Sequence, residues 1–186
     1  QKKLEEKPDV ILLTAALPTF HFATDLSQKL RKYCKILMLG GPHATLFKKE
    51  ILEKCPQFDL LVIGEADLSI VSLIKKIEEG ITTKTKYDFS NIPNVVWRDS
   101  SKIIVNNTNP PIMDLDQFPT PDRDVIDIHS YHAAFSLLTS RGCPMQCTFC
   151  SRPVTGSTFR GRSAISVVDE MEMMLNKYPN IAERCN

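Results

Sequence analysis

The sequence has no apolar run approaching the roughly 20 residues that cross a bilayer as a helix, so no membrane span is expected. No secretory leader is expected in residues 1–6 (Gln-Lys-Lys-Leu-Glu-Glu), which are polar and helical in character. Net charge is nearly absent: Lys+Arg 23 against Asp+Glu 22 gives +1, and no global field argues for nucleic acid or an anionic membrane surface as a partner. An initiator methionine is missing, so the 186-residue chain is expected to be cropped at its start. Cysteines paired for disulfides are missing as well. Cys34, Cys55 and Cys185 are scattered singly in apolar or helical surroundings, the usage of a reduced, cytoplasmic protein. Finally, no Asp or Glu falls between Ile128 and Val168, although Arg141, Arg152, Arg160 and Arg162 all lie there.

What is present reads as a soluble globular chain, 42% hydrophobic and 24% charged. From Asp9 to about Gly80, short apolar runs alternate with amphipathic segments. Val10-Ile11-Leu12-Leu13, Ile36-Leu37-Met38-Leu39 and Leu60-Leu61-Val62-Ile63 are continuous, as in strands covered on both faces. Between and after them, apolar residues recur at helical spacing: Ala23, Leu26, Leu30 and Tyr33; Leu46, Phe47 and Ile51; Ile70, Leu73, Ile74 and Ile77. Strand and helix in alternation predict an α/β fold with a parallel, doubly wound, Rossmann-like sheet over residues 1–81.

Residues 82–133 change character. Val95-Val96-Trp97 and Ile103-Ile104-Val105 flank a polar turn and predict a β-hairpin, with Trp97 packed rather than free to stack on a ligand. The prolines around Asn106–Pro111 and at Pro119 and Pro121 predict an extended linker. His129 and His132 read as linker residues. Residues 134–186 predict a strand leading into a cysteine loop, then a helix starting near Ser163 or Ser166. Ser166-Val167-Val168-Asp169 has the form of a capping box, and Ile165, Val168, Met171, Leu175 and Tyr178 mark one apolar face. The methionines at 171, 173 and 174 read as core.

The cysteine loop is Cys143-Pro144-Met145-Gln146-Cys147-Thr148-Phe149-Cys150. Three thiolates this close can face one inorganic object, and an iron–sulfur cube takes ligands of this kind. Such a cube has four irons, so three cysteines leave one iron open to a small molecule. The alternatives are zinc, with Cys185 as a distant fourth thiolate, and disulfide chemistry. Zinc modules mostly show two separated pairs, and this chain has one triplet.

Cys143-x-x-x-Cys147-x-x-Cys150 with Phe149 before the last cysteine resembles the signature of the radical S-adenosylmethionine (SAM) superfamily. The resemblance implies a [4Fe–4S] cluster on Cys143, Cys147 and Cys150, with SAM chelating the open iron and Phe149 near its adenine. It also implies that residues 134–186 begin a partial TIM barrel with its first strand–helix unit. The arginines would place positive charge beside an anionic cluster and SAM carboxylate, and Arg162-Ser163 resembles an element recurring in the cobalamin-linked members.

The N-terminal part adds to this. Thr14 follows the first apolar run, Gly40-Gly41-Pro42-His43 the second, and Gly64-Glu65 the third. In parallel sheets these carboxyl ends are where ligands bind. In combination with the cysteine motif they resemble the cobalamin-binding domain that precedes many radical SAM domains. That resemblance implies that Thr14, Gly40 and Gly41 line the slot for cobalamin's nucleotide tail, with His43 contacting the tail or shaping the loop. The strand, helix and strand that normally open that domain are not found before Asp9, so part of the corrin-facing wall is expected to be missing. No Asp-x-His-x-x-Gly pattern is present, and His21 reads as an ordinary loop histidine.

The function implied is reductive cleavage of SAM to start radical chemistry on a small-molecule substrate: methylation, ring formation or oxidation. An electron donor such as flavodoxin or ferredoxin would be the protein partner. The alternatives are a radical SAM methylthiotransferase, which carries a second cluster, and a cofactor-binding fragment without turnover.

Overall fold

In the computed structural model of the chain, the residues described are 7–128, 136–151, 154 and 156–179. His129, His132, Arg152 and Cys185 lie outside them. Two compact units divide the chain, residues 1–111 and residues 112–186.

The first unit is one five-stranded sheet with helices on both faces. Its elements are β1 (Val10–Thr14), α1 (Phe20–Leu30), β2 (Ile36–Gly40), α2 (Pro42–Lys54), β3 (Leu60–Val62), α3 (Ile70–Thr83), β4 (Val95–Asp99) and β5 (Lys102–Val105). Strands β1, β2 and β3 pair in parallel, with Thr14 opposite Gly40 and Leu39 opposite Leu61. The three apolar runs are therefore strands, and β2, buried at every position, is the middle of the three. Alternate side chains of β2 and β3 feed two different cores. Leu37, Leu39, Leu61 and Ile63 pack with Ala23 of α1 and with Ile51 and Leu52 of α2. Ile36, Met38, Leu60 and Val62 pack with Leu73 and Ile77 of α3. Both faces of β2 and β3 are thus dry, which is why these two strands carry no alternating polar residues.

The hairpin forms where the sequence predicts it but does not stand apart. Strand β4 pairs antiparallel to β3, with Leu61 opposite Val96, and β5 pairs antiparallel to β4. The change of sequence character at residue 82 therefore falls inside this unit. Trp97 is buried, in edge-to-face contact with Phe89 at 5.5 Å between centroids, and its indole N–H donates to Asn106.

The second unit contains β6 (Ser140–Arg141), β7 (Arg160–Gly161) and α4 (Ala164–Lys177). Of the strand expected to deliver the cysteine loop, the described residues show only β6, paired antiparallel to β7. The carbonyls just before it are taken by other donors: Ser136 and Leu138 accept from Arg123 and Arg162 side chains, and Thr139 accepts from the Arg162 amide.

Helix α4 begins at the first of the two expected starts, and the Ser166 alternative falls inside it. Ser163 is the N-cap, and its hydroxyl accepts from the Ser166 amide at 3.1 Å. The buried face also differs from the expectation. Glu170 and Met174 are buried, whereas Ile165, Val168, Met171 and Leu175 are exposed. The inward side is instead the one that carries a carboxylate matched by two arginines. Among the described residues, no helix is long and apolar enough to cross a membrane.

Candidate cofactor sites

The carboxyl ends of β1, β2 and β3 carry Thr14, Gly40-Gly41 and Gly64, as the alternation of strand and helix requires. Gly41 precedes α2 with φ of 90°, a backbone region that favours glycine. An ideal Cβ at Gly41 would lie 2.5 Å from Thr14 Oγ1 and 3.0 Å from the Ala15 carbonyl oxygen. The close approach of the two loops therefore excludes any side chain there. Gly40 is under less constraint, since a Cβ at that position would meet nothing nearer than 3.6 Å. The Ala15 amide donates to the Gly40 carbonyl and the His43 amide to the Ala15 carbonyl, which holds the two loops together.

His43 sits in the first turn of α2, buried between two phenylalanines. Its ring stacks on Phe20 at 3.9 Å and lies tilted over Phe47 at 4.5 Å between centroids. Its Nδ1 is buried and has no hydrogen-bond partner. Burial holds the imidazole pKa below its ordinary 6.5, so the side chain is neutral near pH 7. The unfolded chain therefore takes up the proton first. The stability contributed by neutral His43 is full above pH 6.5 and is lost as pH falls from there through the folded value. An NMR titration of the His43 ring is expected to give a midpoint below the ordinary 6.5; an equal or higher midpoint would contradict the burial argument.

Three small polar residues that sequence reasoning passed over fix this end of the sheet. The Thr45 hydroxyl donates to the Gly41 carbonyl at 3.0 Å and accepts from the Gly64 amide at 2.9 Å. Asn94 is fully buried with φ of 64°, its side-chain amide donating to the Ile63 carbonyl and accepting from the Asn109 amide. Asn106 donates to the Phe89 and Ile92 carbonyls. An Asn directly after a proline and before a strand was the available signal for Asn94, because Asn tolerates the left-handed region. Asn94→Ala is expected to cost about 1–3 kcal/mol by leaving buried backbone groups unmatched, read as a lower urea midpoint.

Around this end Leu12, Leu17, Phe22, Leu46, Phe47 and Leu68 are exposed. Large exposed apolar side chains near the glycine-bearing loops suit a large flat ligand with a polar tail. The residues fit cobalamin on three counts: a cradle that a Cβ would fill, an exposed Thr14, and the buried, unmatched Nδ1 of His43.

In the second unit, β6 and β7 form the neck of a loop over residues 142–159. Gly142 and Gly156 take φ of 80° and 81°, and the Cys143 amide donates to the Gly156 carbonyl. Cys143, Cys147 and Cys150 are all exposed and free of disulfides, and the Cys150 amide turns back onto the Cys147 carbonyl. Phe149 is 91% exposed. Among the described residues no three Cys, His, Asp or Glu side chains converge closely enough to hold a metal ion. The donor set still fits an iron–sulfur cluster: three soft thiols on one loop, with no carboxylate among them.

Cys34 and Cys55 differ. Burial pushes both thiols up from their ordinary value, making them harder to ionise and poor ligands.

Four arginines of the second unit, Arg123, Arg141, Arg160 and Arg162, are engaged in the fold. Arg162 reaches Glu170 through Nη1, the Ser166 side chain through Nε, and the Ser166 carbonyl through Nη2. Arg123 meets the other oxygen of Glu170 at 2.7 Å. Burial alone would raise the Glu170 carboxyl, but the hydrogen bonds and charges of Arg162 and Arg123 hold it below the ordinary carboxylate range. Buried Arg160 donates to the Ile112 carbonyl, and Arg141 lies over the Phe118 ring.

Residues 1–74 match the B12 binding domain family. Over 96% of its length the chain is 28% identical to the anaerobic magnesium-protoporphyrin IX monomethyl ester cyclase of Cereibacter sphaeroides. Over 89% it is 26% identical to the cobalamin-dependent radical SAM methyltransferase TokK of Streptomyces tokunonensis. It covers 30% and 25% of those two proteins, so it spans well under half the length of the relatives it matches. Among solved structures, the radical SAM methyltransferase TsrM of Kitasatospora setae, with cobalamin and a [4Fe–4S] cluster bound, superposes with a TM-score of 0.68 at 16% identity. The match covers 95% of this chain and 37% of that one. The chain is thus similar in sequence to a B12 binding domain and to cobalamin-dependent radical SAM proteins, and it shares the α/β fold of that solved structure.

Proposed function

We propose that this chain is the cofactor-holding part of a cobalamin-dependent radical SAM enzyme, acting on a small organic molecule. The observation that carries the reading is the joint presence of a B12 binding domain match over residues 1–74 and a free, exposed cysteine triplet with the radical SAM spacing. Cobalamin's tail would enter between Thr14 and Gly40-Gly41, with neutral His43 offering its unmatched Nδ1 from the floor. Cys143, Cys147 and Cys150 would hold the [4Fe–4S] cluster, and exposed Phe149 would cover the SAM adenine.

When bound, the cluster supplies the electron for reductive SAM cleavage and cobalamin a carrier for a methyl group. The chain's own share is to fix the loop, keep the tail slot open and present three exposed thiols. Relatives named as methyltransferases and as a ring cyclase support methylation or ring closure as the outcome. A flavodoxin- or ferredoxin-like donor would reduce the cluster, and the working compartment would be the cytoplasm. The half-buried Cys34 and buried Cys55, whose thiols burial makes harder to ionise, favour one cluster per chain over the two of a methylthiotransferase.

The test is anaerobic reconstitution with iron and sulfide, with and without cobalamin, followed by metal analysis and an absorbance spectrum. One cluster and one corrin per chain are expected. A single tetrahedral zinc, or a protein from which all corrin washes out, would overturn the reading.

A further inference from the structure

The neck of the cysteine loop is short. Strands β6 and β7 contribute two residues each, with Ser140 opposite Gly161 and Arg141 opposite Arg160. So small a ladder is marginal by itself, yet it must close a loop that runs from 142 to 159 and carries all three cysteines. Closing a flexible loop costs entropy, and something besides two ladder pairs has to oppose it.

The additional ties converge on one carboxylate. Glu170 of α4 is 2% exposed and is gripped by Arg123 on one oxygen and Arg162 on the other. Each arginine then reaches the chain that enters the loop: Arg123 donates to the Ser136 carbonyl at 3.0 Å, and Arg162 to the Leu138 carbonyl at 3.3 Å. The Arg162 backbone, leaving the loop, donates to the Thr139 carbonyl at 2.9 Å. On the next residue, the Ser163 amide meets both carboxylate oxygens of Asp116 at 3.1 Å. Incoming strand, outgoing strand and helix are therefore joined through Glu170, with no cysteine touching the network.

We propose that Glu170 is a positioning residue for the cysteine loop: its carboxylate, held between Arg123 and Arg162, keeps the loop's neck closed, and so sets the spacing of the three thiols. This rests on the cluster-binding reading above, and it assigns Arg162 a place behind the loop instead of against a bound anion. Charge is what matters in this arrangement. A neutral amide of the same shape has one acceptor oxygen and presents its NH2 to the second guanidinium, so Gln cannot satisfy both arginines.

Two measurements on the purified chain test it. In the protein without iron, hydrogen exchange at the Cys143 and Arg162 amides is expected to quicken in both Glu170→Gln and Glu170→Ala, while the Trp97 amide in the other unit exchanges as before. In anaerobically reconstituted protein, transfer of iron to a ferrous chelator is expected to run roughly tenfold faster in both variants, the lower end of what outer-shell changes cost a metal site. Unchanged exchange at the neck in both variants would overturn the proposal. So would full rescue by Gln, which would mean that shape alone suffices. Exchange does not depend on iron, so a wild-type chain that takes up no cluster would refute the cluster reading while Glu170 is still judged by its amides. Should Ala unfold the second unit, Gln, which keeps the side-chain volume, decides the matter.

Discussion

Alanine in place of any one of Cys143, Cys147 or Cys150 is expected to abolish cluster uptake by the chain. Iron and sulfide bound after anaerobic reconstitution should fall by about tenfold or more, since even the loss of a residue behind a metal ligand costs 10–100-fold. The broad visible band should vanish with them. The matched controls are Cys34→Ala and Cys55→Ala, which are expected to leave iron content unchanged because those thiols are packed into the first unit and burial keeps them protonated. If all three loop variants retained iron, the metal would be held elsewhere. If a zinc ion remained at full occupancy in the wild type and fell by one thiolate's contribution in each variant, the chemistry would be structural.

The second large effect is expected at Gly41. A methyl group there would sit 2.5 Å from Thr14 Oγ1 and 3.0 Å from the Ala15 carbonyl, on a backbone with φ of 90°. Strain of this kind costs about 1–3 kcal/mol for a single residue. The threonine hydroxyl can rotate away, but the carbonyl belongs to the strand end and cannot. Gly41→Ala should therefore lower the urea midpoint and, by pushing the Thr14 loop outward, deprive the chain of cobalamin measured by equilibrium dialysis. Gly40→Ala is the informative contrast: its Cβ would meet only ordinary van der Waals neighbours, so stability should change much less. Equal loss in the two variants would show that the crowding at Gly41 is not what shapes the slot.

The two glycines look alike in the sequence, and only the structure separates them. Much else was legible. Strands buried on both faces leave uninterrupted apolar runs, and β1, β2 and β3 fall on those runs. The hairpin was visible in its polar turn, but its partner strand was not, because pairing β4 with β3 is a tertiary choice that no local pattern records. The helix after the cysteine loop was placed correctly and its inward face was not. Ile165, Val168 and Leu175 satisfy the helical period, yet the packed side is the one that carries Glu170. Periodicity assumes that buried means apolar, and a carboxylate neutralised by two arginines breaks that assumption. At the carboxyl end of the sheet, His43 and Phe47 share a helix face at a spacing that can be read off the chain. Phe20, on the far side of the same imidazole, comes from the start of α1 and needed the fold to bring it there.

Thr45 sets a further constraint on how the proposed tail slot would respond to an occupant. A single hydroxyl is at once donor to the loop after β2 and acceptor from the loop after β3. Neither rim of the mouth can retreat by itself without breaking a bond to the other. A guest that wedges open one lip must carry the second with it, so entry should be a concerted yielding of both margins, and valine at 45 would let them part independently.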